Sequence, residues 1–171
     1  MPILYKKGLV STVVDFIEVE IGKKLPSGCR DFLYKMNGLY FSSPHYAQIP
    51  LKAVDEGVIS FDRFFGFLPD EECNDIVSFN KEFIDELRFL PNAIAIGEDG
   101  GGNPYVLIGG EKKGVYYWDR THLHESDSIN FYDIAEQEDS GNLFLVASTF
   151  SEFYSLVVES ANGNPDFVEE I

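Results

Sequence analysis

The stretch from Asn92 to Trp118 constrains this chain most. Three short runs, Ala93 to Ile96, Tyr105 to Ile108 and Val115 to Trp118, are small, aromatic or β-branched. They are separated by segments rich in glycine, asparagine and proline, so they read as strands of a meander. Gly100, Gly101 and Gly102 lack the Cβ that penalises positive φ, which lets the chain reverse tightly between the first two runs. A meander of this kind needs helices to cover it, and the rest of the chain supplies them.

Val10, Val13, Val14, Ile17 and Ile21 fall on one helical stripe, with Thr12 and Asp15 as a capping pair and Gly22 as the stop. In this helix Glu18 and Glu20 are expected to face solvent. Leu25-Pro26 opens a second helix carrying Cys29, Phe32, Leu33 and Met36, and Asn37-Gly38 is expected to cap its end. The short link between them predicts a helical hairpin. Leu39 to Phe41 starts a strand, and residues 48–68 hold one or two more. A third helix is expected over 74–89, with Ile76, Phe83, Leu87 and Leu90 on its buried side and Asn74 or Asp75 as its cap. Leu143 to Ala147 reads as a last strand. Thr149 to Glu152 is a capping box that starts a final helix with Phe150, Phe153, Tyr154, Val157 and Val158 on its apolar face. The order of elements predicts an α+β fold with a mainly antiparallel central sheet flanked by helices. One domain is expected over 1–160, followed by a loose acidic tail over 161–171.

Charge bounds the function. The 29 acidic residues outnumber 13 Lys and Arg, for a formal net charge of −16. Such a field repels nucleic acid and anionic membranes and attracts basic partners, although acidity also serves solubility alone. No apolar run reaches the length of a membrane span, and the N-terminus has no signal-peptide pattern, so a cytoplasmic location is expected.

The chemistry-bearing residues form no catalytic pattern. Cys29 and Cys73 have no metal-ligand spacing, and Cys29 falls on an apolar helix face, which predicts a buried free thiol. Gly97-Glu98-Asp99-Gly100-Gly101-Gly102-Asn103 lacks the Lys-Ser/Thr of a phosphate loop, joins two strands, and carries acids that would repel phosphate. A structural turn is the favoured reading. His122 and His124 stand two apart near Asp119 and Glu125, without a third ligand at a metal-site spacing. No Gly-x-Ser-x-Gly and no cysteine beside a base is present. No catalytic residue, metal site or cofactor is therefore expected.

Several segments together resemble one family. Gly22-Lys23-Lys24-Leu25-Pro26 leads to Asp31-Phe32-Leu33 and Asn37-Gly38, then to Phe64-Phe65-Gly66-Phe67. The glycine turn, Gly114-Val115-Tyr116-Tyr117-Trp118-Asp119 and Val146 to Phe153 complete the series. In order and spacing this is similar to the SUKH superfamily, which includes the Smi/Knr-type domain, from about residue 10 to 160. Leu39 departs from the pattern, since a second glycine commonly follows Asn-Gly. The resemblance implies an α+β fold without catalysis, and for bacterial members an immunity protein that binds and neutralises a toxin, often a nuclease. A protein partner, a basic toxin domain, is accordingly expected, with no nucleic acid and no membrane. The candidate contacts are loop acids: Asp70, Glu71, Glu72, Glu98, Asp99, Asp119, Glu125 and Asp127. Two rivals are a regulatory scaffold binding a cellular protein, and a nucleotide binder or enzyme using the glycine turn. The sequence sets neither the contacting face nor the oligomeric state.

Overall fold

In the computed structural model the three glycine-separated runs become β6 (Ile94–Glu98), β7 (Pro104–Ile108) and β8 (Gly114–Trp118), antiparallel neighbours in one sheet. The structure describes residues 2–124, 131–161 and 165–171. Beyond β8 lies β9 (Leu143–Ala147). Beyond β6 come β5 (Arg63–Phe64), β2 (Met36–Phe41), β1 (Pro2–Lys7) and β10 (Asp166–Glu170), giving an eight-stranded sheet among the described residues. Every pairing is antiparallel except β1 with β10. A separate hairpin joins β3 (Ala47–Pro50) and β4 (Val58–Phe61). Among the described residues four α-helices complete the α+β fold: α1 (Ser11–Ile21), α2 (Ser27–Lys35), α3 (Ile76–Phe83) and α4 (Phe150–Glu159). None of the described helices is long and apolar enough to cross a membrane.

The side-chain period of two in a strand divides the core into two layers. Ile3, Leu39, Phe41, Phe64, Tyr105, Leu107, Val115 and Tyr117 pack with the helices, against Val14, Ile17, Phe32, Phe79, Phe153 and Val157. Val106, Ile108, Tyr116 and Trp118 point the other way. They are covered by Leu87, from a 3-10 turn over Ile84–Leu87, and by Ile134 and Leu143. The Trp118 indole N–H donates to the Ser140 carbonyl at 2.7 Å. Burial on both faces explains why β7 and β8 read as unbroken apolar runs.

The same pairing leaves part of the sheet covered on one face only. Leu4, Tyr40, Arg63 and Glu98 are successive register partners across β1, β2, β5 and β6. Their neighbours Ile3, Leu39, Phe41 and Phe64 face the helical core, so this row lies on the opposite face. That polar row positions the candidate site.

Several local expectations are corrected. Thr12 and Asp15 do not cap α1; its N-cap is Val10, with no side-chain hydrogen bond, while Gly22 at φ 71° ends it as expected. Glu18 is not solvated. It is 4% exposed, accepts from Leu25 N at 2.7 Å and pairs with Arg30, tying α1 to α2. Its place in the chain puts it toward solvent only if α1 stands alone; the returning helix covers it.

Asn37-Gly38 does not cap α2, which ends at Lys35. Both residues belong to β2, and the Asn37 side chain accepts from Phe67 N at 2.6 Å and donates to Phe67 O at 3.1 Å. The third helix is shorter than expected, running as α3 to Phe83 before the 3-10 turn; Asp75 does cap it, accepting from Ser78 N at 2.8 Å. Thr149 caps α4 by accepting from Glu152 N at 3.1 Å, and the Glu152 carboxylate returns to Ser148 N at 2.9 Å.

The largest differences are at the two ends. β1 has no counterpart among the expected elements, and β10 lies within the residues 161–171 expected to form a loose tail. Five parallel rungs run from Pro2 with Asp166 to Lys6 with Glu170, and Phe167 packs against the core. Polar composition hides an edge strand, because ladder hydrogen bonds are made by the backbone whatever the side chains.

Candidate functional site

The uncovered row opens into a groove of about 470 Å³. Its floor is β1, β2 and β5; one side is β10 and the other is the segment from Leu68 to Asn74. Strand alternation aims Tyr40 and Arg63 into it, since their neighbours are committed to the core.

Charge is arranged in pairs. Lys6 Nζ donates to Glu71 Oε1 at 2.9 Å, and Asn74 supports Glu71 Oε2 at 3.3 Å. The Tyr40 hydroxyl donates to Glu170 Oε1 at 2.6 Å. Arg63 Nε donates to Asp62 Oδ2 at 2.8 Å and lies 3.8 Å from Glu98 Oε1, with its guanidinium 5.4 Å from the Tyr40 ring centre. Three carboxylates thus meet two cations, and the fourth, Glu170, accepts from a phenol.

Proton affinities follow these contacts. The hydrogen bond to the Glu170 carboxylate, with burial second, pushes the Tyr40 phenol up to about 12. Hydrogen bonds from Lys6 and then Asn74 hold Glu71 below the usual carboxylate range. Burial raises Glu98, outweighing the nearby Arg63.

The eight expected contact residues separate. Glu71 lines the groove, Glu98 stands beside its Arg63, and Asp70 and Glu72 are exposed beside Glu71 on its rim. Asp99 is committed to the glycine turn: its carboxylate accepts from Gly101 N at 2.7 Å, Asn103 N at 3.0 Å, Asn103 Nδ2 at 2.9 Å and the Tyr117 hydroxyl at 2.9 Å. Asp119 is 0% exposed, with its oxygens accepting from Leu123 N at 2.7 Å and His124 N at 2.8 Å. It shapes its own loop and offers no charge at the surface. Glu125 and Asp127 lie outside the described residues. Lys6, Tyr40, Asp62, Arg63 and Glu170 were missed. The one available signal was Tyr40 between Leu39 and Phe41, a polar residue on a half-buried strand; the other four are assembled by strand pairing alone.

Other candidates resolve into structure. The Asp99 carboxylate occupies the N–H groups that a phosphate would need in the turn, and Gly100 and Gly102 take φ of 84° and 91°. His122 Nε2 is 3.0 Å from Glu136 Oε2, while His124 is buried against the rings of Tyr117 and Phe144. Among the described residues no group of three or more His, Cys, Asp or Glu is placed to hold a metal ion. Arg120 is held by Glu86 at 2.7 and 3.0 Å, with its guanidinium 4.3 Å from the Phe83 ring centre.

The fold and this groove define an α+β domain that presents a charged, one-sided sheet face. Residues 12–156 match the profile of the SMI1 / KNR4 family (SUKH-1). The match spans most of the 171 residues, and the chain belongs to that family. No curated protein and no solved structure gives a significant match.

Proposed function

We propose that this protein is a non-catalytic binding protein of the immunity type, which captures a basic toxin domain and neutralises it. The observation that carries this reading is the excess of carboxylate, −16 over the chain; of these acids Glu71 and Glu170 line the groove and Asp62 and Glu98 flank its Arg63. A nuclease holds phosphates with cationic side chains, and an acidic inhibitor covers such a site with groups of opposite charge. Family membership supports the same reading. So does the way the chemistry-bearing side chains are engaged: Asp99 and Asp119 bind backbone N–H groups, and burial pushes the Cys29 thiol up to about 12.

The test is co-expression with a basic toxin domain encoded beside this chain. Growth is rescued, the two proteins purify together, and the association rate falls about tenfold or more as ionic strength rises from about 50 to 500 mM. Stable association with a cellular protein and no rescue would favour the regulatory reading.

A further inference from the structure

The groove over β1, β2 and β5 admits a narrower assignment, one that rests on the binding reading above. We infer that it is the docking site for an extended, lysine- or arginine-bearing segment of the protein partner, and that Lys6 stands in for the first of that segment's cations while the groove is empty.

Its geometry separates a fixed cation from a replaceable one. Arg63 is held by Asp62, by Glu98 and by the Tyr40 ring, and its side chain is 22% exposed. It closes the inner end of the groove. Lys6 has one carboxylate partner, and the two side chains are 40% and 47% exposed. A pair so open to water contributes little to stability, so exchange of Lys6 for another cation costs little. Glu170 accepts from the Tyr40 hydroxyl at 2.6 Å, and Glu71 lines the same groove. An incoming ammonium or guanidinium meets the Glu71 and Glu170 carboxylates, and water is displaced as the segment lies along the strands.

The source of these groups is informative. Lys6 belongs to β1 and Glu170 to β10, and both strands lie outside the residues 12–156 that match the family. Tyr40, Arg63 and Glu71 belong to the matched region. The family core thus supplies β2, β5 and one wall, while the paired terminal strands supply the rest of the floor, the other wall and the exchangeable cation. Partner choice is set there.

Titration with a synthetic decapeptide of alternating lysine and arginine, followed by two-dimensional amide NMR on the full chain, tests this. Perturbations centre on Lys6, Tyr40, Arg63, Glu71 and Glu170. Lys6→Met binds the peptide about threefold or more tightly, because the internal competitor is gone, and Glu71→Gln with Glu170→Gln binds it about tenfold or more weakly. Glu138→Gln with Asp139→Asn, beside Arg88 and Arg120, changes affinity less than about twofold. Perturbations spread evenly over the acidic surface, or centred near Glu138, overturn the assignment. So does unchanged or weakened binding in Lys6→Met. Thermal melts show whether each variant folds, and the wild-type map stands without them. Peptide docking in the groove without growth rescue would sink the toxin reading and leave the groove; rescue with perturbations elsewhere would do the reverse.

Discussion

Cys29 and Cys73 carry the same thiol in opposite surroundings. Cys29 is 2% exposed inside α2, and burial, reinforced by Glu18, pushes its thiol up to about 12. Cys73 is exposed. The thiolate is the reactive form, so only Cys73 can react in the folded protein near neutral pH. A colorimetric disulfide reagent at pH 8 is expected to titrate one thiol per chain rapidly and the second only in denaturant. Replacing Cys73 with serine should remove the fast phase; a fast phase that survives would show that Cys29 is accessible. The burial of Cys29 was legible from helical spacing. That of Glu18 was not, because its partners come from beyond its own helix: Arg30 from α2 and the Leu25 N–H from the link before it.

At the scale of elements, two asparagines do the work of missing strand. β5 is only two residues long, so β6 has open backbone groups along much of one side. Asn80 on α3 fills the gap: its oxygen accepts from Ala95 N at 2.8 Å and its amide donates to Ala95 O at 2.9 Å. Asn37 makes the same two-way contact with Phe67. Asn80→Ala would leave a buried N–H and C=O without partners, and a loss of about 1–3 kcal/mol is expected in urea unfolding. An unchanged midpoint would show that water or a shifted chain replaces the amide. The sequence made Asn37 a helix cap, since Asn-Gly after an apolar stripe is the usual cap signal. α1 and α4 were readable because one helical period runs through each, and the meander because glycine-rich turns bound its apolar runs; β1 and β10 were not, because each is paired only with strands far away in sequence or at the other end of the chain.

At the scale of the whole molecule, five tyrosines are held as phenols. Burial raises Tyr105, Tyr116, Tyr117 and Tyr154 above the ordinary value of 10.0, and its hydrogen bond to Glu170 takes Tyr40 to about 12. A raised folded value means that the folded state binds the proton more tightly. The corresponding stability is complete below pH 10 and is lost as pH rises through the folded values. Phenolate absorbance at 295 nm and far-ultraviolet circular dichroism should therefore change together, in one cooperative step beginning above about pH 10. A gradual titration of these five groups near pH 10 with the dichroism unchanged would mean that they are open to solvent.

The sequence by itself determined the α+β class, the three-stranded centre, the family and the acidity, all of which depend on short-range patterns and totals. It also named Glu71 and Glu98, though as loop acids without a common place. Only the tertiary structure decided that Glu71 lines a groove with Lys6, Tyr40, Arg63 and Glu170, that Glu98 stands beside that Arg63, and that Asp99 and Asp119 are spent on backbone N–H groups. The reason is distance along the chain: Tyr40 and Glu170 are 130 residues apart, and only the ladder from β2 through β1 to β10 brings a phenol and a carboxylate within 2.6 Å.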